Sequence, residues 1–444
     1  MLPLNAAALR SVVRLFRERL LSGFALNFLS AVALQGSVLL TAIVLARLLG
    51  LEDFGIYAVL VSTVMISAGI AQGATGLVGT KFVGELMHTD PGQIARILRM
   101  CALMAGSMGL LMALLLFVLA PTIAADVLAK PQVEPFLRWV SAAIVLQVLV
   151  TYQYGALQGF GAFRQMSVAG IVAGLAHLGC SVAGAWFGGL TGAAIGFVAA
   201  SAVRALVFTV TLRGVCRQHA VPAATAISWD DWRRFSHFAL PASLASYVTL
   251  PCLWGVTALV ARQPDGLAWV ALFSVAHQVR LAAIQMPALL NAVSFSALSR
   301  LKGQGERGGF RQVFWTNMIV SVCFTSALVA VLALFSKEIL GLYGAQFVQG
   351  SPVLLVMLLA VIPETLGLAA YQLVQSSGRM WQSLFLIVGP RDLLYLLLSS
   401  IWISSYGLTG AASAYLVAYT LGCVATILVA RFDGALIRPA SASE

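Results

Sequence analysis

The chain has 444 residues, of which 60% are hydrophobic and only 10% charged, with a mean hydropathy of +0.93. Ordinary soluble domains carry about 25% charged residues, so a soluble globule is excluded and the composition is that of a polytopic membrane protein. The net charge of +11 does not call for nucleic acid, since membrane proteins hold Lys and Arg on their cytoplasmic side; six dispersed cysteines and five scattered histidines lack metal-ligand spacing, so neither metal nor other cofactor is expected.

Residues 1–21 are interrupted by Arg10, Arg14, Arg17 and Arg19, unlike a signal peptide. Arg10, Arg14 and Arg17 share one helical face, while Leu9, Val13, Phe16 and Leu20 take another. The segment reads either as an amphipathic helix on an anionic leaflet or as a solvated helical extension. Twelve apolar spans follow, each long enough for a hydrocarbon core of roughly 30 Å. Six lie at 22–46, 54–78, 97–120, 136–158, 166–187 and 190–212, an N-lobe of 22–212. A polar link at 213–234 leads to 235–261, 267–296, 313–335, 351–377, 382–404 and 408–430, a C-lobe of 235–430, with a tail at 431–444.

The second set repeats the first. Gly189-Leu190-Thr191-Gly192-Ala193-Ala194, opening span 6, returns 218 residues later as Gly407-Leu408-Thr409-Gly410-Ala411-Ala412. Tyr152-Gln153 with Gly159 recurs as Tyr371-Gln372 with Gly378, and Ala46-Arg47 as Ala261-Arg262. Landmarks in one order at nearly one offset indicate a duplicated unit. Six is an even number of spans, so the halves share an orientation and a pseudo-two-fold axis along the membrane normal is expected. With the N-terminus in the cytoplasm, nineteen Lys and Arg fall inside and five outside, which predicts that both termini are cytoplasmic. The expected fold is all-α, with twelve transmembrane helices in two pseudo-symmetric six-helix bundles.

The junction of spans 1 and 2, Leu45-Ala46-Arg47-Leu48-Leu49-Gly50-Leu51-Glu52-Asp53-Phe54-Gly55-Ile56-Tyr57, resembles the "ARLLGPEDFGxY" junction of bacterial polysaccharide and O-antigen flippases. Gln158-Gly159-Phe160-Gly161-Ala162-Phe163-Arg164 is similar to that family's "GxxRGxGRF" turn, with Gln158 replacing a common basic or small residue. The GLTGAA openings of spans 6 and 12 and Ala297-Leu298-Ser299-Arg300 fit as well. The resemblance runs from about 20 to 430. It implies the superfamily of multidrug, oligosaccharidyl-lipid and polysaccharide exporters, a MATE-like fold around a central cavity, and a place in the bacterial inner membrane. It also implies alternating-access transport of an undecaprenyl-pyrophosphate-linked oligosaccharide for O-antigen, capsule or exopolysaccharide synthesis. Membrane lipids and polysaccharide polymerase or export machinery are the partners it implies. Peptidoglycan-precursor flippases have two further helices, for which the chain has no room.

A diphosphate and its sugars need a wet, cation-lined path, and charges within spans are its natural markers. Arg280 lies deep in span 8, on the face of His277, Ile284 and Asn291. It is either a bidentate diphosphate ligand or half of an ion pair with Glu364 or Asp392. Glu364 follows Pro363, and Arg391-Asp392 follows Pro390. Glu364, Asp392 and His277 are titratable candidates for proton coupling, while Arg391 and Asp392 either gate or neutralise each other. Arg204 can line the cavity or snorkel. Gln147, Thr151, Tyr154 and Gln158 form a stripe on span 4, with Ser243, Tyr247, Trp254 and Thr257 on span 7 and Asn27 and Gln35 on span 1. Such stripes either line a cavity or join helices. Arg47 and Arg262, at equivalent outer ends, either meet the departing diphosphate or anchor at the interface.

The alternative on the same fold is a cation-coupled multidrug exporter. Such proteins commonly place an Asp in the first helix, whereas the N-lobe spans contain no Asp or Glu. The Gly-Asp-Arg-rich loop of a major-facilitator transporter is absent, since 79–92 read GTKFVGELMHTDPG. A membrane glycan polymerase or ligase would call for a long external loop, and none exceeds about 15 residues; no enzymatic activity is expected.

Overall fold

A computed structural model of the chain describes residues 25–87, 89–222, 227, 229–303, 307–376 and 380–432. The segment 1–21 and the tail beyond 432 lie outside them. Among the described residues every regular element is helical. The first are α1 (Ala25–Ala71), α2 (Thr75–Leu86), α3 (Pro91–Thr122), α4 (Glu134–Gly159), α5 (Phe163–Gln218) and α6 (Trp229–Ala261). Then come α7 (Gly266–Gly303), α8 (Arg307–Leu334), α9 (Ser336–Tyr343), α10 (Ser351–Ser376), α11 (Met380–Ser383) and α12 (Gly389–Phe432).

Length shows which helices are composite. At about 1.5 Å per residue, the 56 residues of α5 would run about 84 Å, far beyond one bilayer core. The helix is broken at Gly188 and Gly189, α1 at Gly50 and α12 at Gly407. Nine stretches among the described residues are long and apolar enough to cross a membrane. Two of them, Gln35–Ala71 and Phe163–Gln218, each hold two expected spans, and α6 supplies the seventh. Among the described residues this gives twelve helical segments, consistent with the twelve spans of the hydropathy pattern. Span 2 differs from its expectation: it stops at Ala71, and α2 starts afresh at Thr75 after Gly73 and Ala74 adopt φ of 48° and 58°.

The repeated hexamer builds the same hinge twice. Its first glycine has φ 54° and ψ −137° at Gly189, and φ 60° and ψ −144° at Gly407. That region admits essentially only glycine. The fourth residue lets the chain fold back on itself: a Cβ on Gly192 would strike the Gly184 carbonyl, and one on Gly410 the Trp402 carbonyl. Gly184 and Trp402 are themselves 218 residues apart. The packing above the hinge also repeats, for His177 meets Phe197 edge-on at 6.1 Å and Tyr395 meets Tyr415 edge-on at 5.2 Å.

Two compact units form, one of Gly23–Ala271 and one containing Leu272 onward. The sequence repeat counts 235–261 with the second half, whereas by packing α6 sits in the first unit. There Trp254 Nε1 donates to Thr63 Oγ1 at 3.0 Å, and Ala239 packs with Val78, Ile97 and Met100. In the first unit α2 and α4 approach closely, since a Cβ on Gly155 would strike the Gly76 carbonyl, as small residues permit. Asp90 caps α3 by accepting from the Gln93 amide at 2.8 Å, with Pro91 preset in the first turn. Apolar side chains such as Val118, Trp186 and Phe187 are exposed, which suits helices solvated by lipid.

Candidate functional site

In the second unit, α7, α10 and α12 bring two ionisable groups of the sequence reading, Arg280 and Glu364, together with Tyr415. Arg280 is 3% exposed, and its Nη1 donates to Glu364 Oε2 at 2.5 Å and to Tyr415 Oη at 2.7 Å. The Tyr415 hydroxyl lies 3.2 Å from the same carboxylate oxygen. The guanidinium also stands 4.8 Å from the Tyr415 ring centroid, a cation–π contact strengthened by desolvation. Of the two alternatives for Arg280, the ion pair with Glu364 is therefore the one present here. Burying two charges costs several kcal/mol per ion, so such a pair stabilises little by itself, but removing one partner costs about 3–5 kcal/mol. Arg280 Nε has no hydrogen-bond partner among the described residues.

The cluster continues along α12. Tyr415 stacks on Tyr419 with ring centroids 3.9 Å apart, and the Arg391 guanidinium lies 4.4 Å from the Tyr419 ring. Arg391 Nε donates to Asp392 Oδ1 at 2.7 Å and Nη2 to Oδ2 at 3.1 Å. The adjacent charges thus pair with each other. Two guanidiniums, two carboxylates and two stacked phenols form a chain with no net formal charge. Tyr415 and Tyr419 were not legible as functional: aromatic residues at i and i+4 read as core packing. His277 is half-buried with the Phe273 ring 6.4 Å away. Asn291 lies on α7, but its side chain is outside the described residues, as is that of Asn27 on α1.

The first unit holds a separate polar stripe. Gln147 Nε2 donates to Ser201 Oγ at 3.2 Å, and Arg204 Nη1 lies 3.5 Å from Gln147 Oε1. Arg204 therefore reaches across from α5 to α4. Further along the same face of α4, Thr151, Tyr154 and Gln158 line a pocket of about 200 Å³ with Gln72, Thr80 and Ser243. On α6 the polar face divides its work, with Ser243 at the pocket and Trp254 joining helices. Arg47 and Arg262 are exposed at the ends of their helical segments; neither is brought to the clusters above. The sequence reading did not single out Gln72 and Thr80. The glycine run Gly69, Gly73 and Gly76 was the available signal, for it marks where span 2 loosens.

A family described as polysaccharide biosynthesis protein matches residues 20–302. The chain is 26% identical over 449 residues to the EPS I polysaccharide export inner membrane protein EpsE of Ralstonia solanacearum, covering 95% of this chain and 96% of that one. It is likewise 26% identical over 389 residues to the protein of that name in Ralstonia nicotianae, covering 83% of each. Among solved structures, an inward-facing multidrug resistance MATE family transporter of the MOP superfamily superposes with a TM-score of 0.77 at 16% identity, over 92% of this chain and 96% of that one. That likeness establishes a MATE-like fold.

Proposed function

The chain belongs to the polysaccharide biosynthesis protein family, and from that premise we propose that it is a flippase for lipid-linked glycan. It carries an undecaprenyl-pyrophosphate-linked oligosaccharide across the bacterial inner membrane by alternating access, with both termini in the cytoplasm. The observation that carries this reading is the likeness to polysaccharide export inner membrane proteins over nearly the whole chain. The distribution of intramembrane charge supports it. The N-lobe spans hold Arg204 and no carboxylate, a setting for an anionic substrate rather than for a drug cation.

Arg280 is the proposed diphosphate ligand, in exchange with Glu364. Glu364 holds the guanidinium when the site is empty, and the diphosphate replaces it as bidentate partner. Glu364, so released, is the candidate coupling acid, with Asp392 and Arg391 as the neighbouring gate. His277, and Asn291 by its register in span 8, are assigned to the same site. Arg204, Gln147, Tyr154 and Asn27 are assigned to the path through the N-lobe, and Arg47 and Arg262 to the outer face. The lobes proposed are 22–212 and 235–430, joined at 213–234, and polymerase or export machinery is the proposed partner. Deletion of the gene should leave lipid-linked oligosaccharide on the cytoplasmic leaflet and deplete surface polysaccharide. Intact polysaccharide with altered drug tolerance would instead establish the multidrug exporter, the reading that the fold alone would also allow.

A further inference from the structure

The pocket in the first unit has a chemistry different from that of the charged cluster. Its volume of about 200 Å³ has room for roughly six or seven waters at about 30 Å³ each, the scale of one hydrated sugar ring. Among the described residues no charged side chain lines it; the polar groups are Gln72, Thr80, Thr151, Tyr154, Gln158 and Ser243. The hydroxyls face their ligand mainly as acceptors, because their protons are committed to backbone carbonyls. Thr151 donates to Gln147 O at 3.0 Å and Ser243 to Ala239 O at 2.5 Å. Thr80 Oγ1 lies 3.0 Å from the carbonyls of both Gly76 and Gly155, and 3.3 Å from Gln158 Oε1. Donors come from the Gln72 and Gln158 amides, and Tyr154, 41% exposed, offers a ring face beside them. Acceptors, amide donors and an aromatic plane without charge match a polyhydroxylated neutral ring. They match neither a diphosphate, which needs cations, nor an acyl chain, which needs none of the polar groups.

The backbone around the pocket is built to hold it open. Gln72, Gly73 and Ala74 interrupt the helix, and Ala74 adopts φ 58°, ψ 14°. Left-handed conformations disfavour a residue with a Cβ, and strained backbone persists where the surroundings fix it. Within a membrane, irregular backbone is tolerated where it lines a cavity or is buried in protein. Here Gln72 and Ala74 line the pocket directly. The opposite wall is fixed by the glycine contact of α2 with α4, so the pocket is preformed.

We propose that this pocket is a sugar subsite, which takes one uncharged pyranose ring of the transported glycan and is separate from the diphosphate-binding arginines. The inference rests on the flippase reading. Its test uses the full-length protein in nanodiscs, with quenching of intrinsic tryptophan fluorescence reporting affinity. The probes are undecaprenyl pyrophosphate and undecaprenyl-pyrophosphate-linked glucose, galactose and N-acetylglucosamine. At least one sugar-bearing lipid should bind tighter than the bare lipid. Gln72→Leu and Gln158→Leu should each reduce that advantage by up to about tenfold, the scale of one lost hydrogen bond, with affinity for the bare lipid held. Retained bare-lipid binding also certifies the fold of each variant. Equal wild-type affinity for all four lipids overturns the subsite, as does an advantage unchanged in both variants. If the wild-type chain binds none of the four better than phosphatidylglycerol, the flippase reading itself fails, a result distinct from these.

Discussion

Arg280 and Glu364 can be separated by mutation into structural and transport roles. Arg280→Ala leaves the Glu364 carboxylate without its partner, a change worth about 3–5 kcal/mol in a buried pair. Membrane abundance and melting temperature should fall. Adding Glu364→Ala removes the stranded charge, so abundance should return. Transport should not return with it, because the proposed diphosphate ligand is still missing; recovery of transport in the double variant would make Arg280 a purely structural residue. Arg280→Lys should retain part of the activity, since it keeps the charge but loses the planar fork. The sequence narrowed Arg280 to two partners by its depth in span 8, yet could not choose between Glu364 and Asp392. That choice depends on rotation of α10 and α12 about their axes, and it fell to Asp392 to pair with its own neighbour, Arg391.

At the scale of the helix, the paired hinges invite a matched test. Gly189→Ala and Gly407→Ala place a Cβ on backbone that only glycine adopts comfortably, at a cost of about 1–3 kcal/mol each. Gly179→Ala, in a helical stretch of α5 with nothing within 4 Å of the added Cβ, should be neutral or slightly stabilising. Thermal melting in detergent checks all three, and a hinge variant that melts with Gly179→Ala would contradict the assignment. These hinges were legible because a repeated hexamer with glycine first is a signature of position as well as composition. The break at 72–74 was not. Gly73 is one glycine among several there, and Ala74 is a strong helix former whose left-handed backbone is imposed by the packing around it. Gln72 consequently looked like a residue in the body of span 2. The stripe of Gln147, Thr151, Tyr154 and Gln158 was legible as a face, but whether it joined helices or lined space required the second wall. In the structure its two ends differ: Gln147 bonds to α5 while Gln158 borders the pocket.

For the whole molecule, the charge asymmetry and the packing agree on which helix ends lie together. Val83, Leu98, Leu157, Met166 and Leu212 form one cluster in the first unit, and Lys81, Arg99, Arg164 and Arg213 flank those residues in sequence. Lys130 lies elsewhere, 3.4 Å from the Pro264 carbonyl. Reporter fusions after Arg217 and after Lys130 should therefore report opposite compartments, cytoplasmic for the first; one compartment for both would refute the twelve-span topology. Such mapping establishes orientation without establishing cargo. The central claim, translocation of a lipid-linked glycan, is tested most directly in liposomes containing the purified protein and an undecaprenyl-pyrophosphate-linked oligosaccharide in both leaflets. A membrane-impermeant glycosidase added outside should digest the whole pool when the wild-type chain is present and only the outer-leaflet fraction in protein-free vesicles. Digestion that stops at the outer-leaflet fraction with the wild-type chain, with and without an imposed proton gradient, would contradict the account.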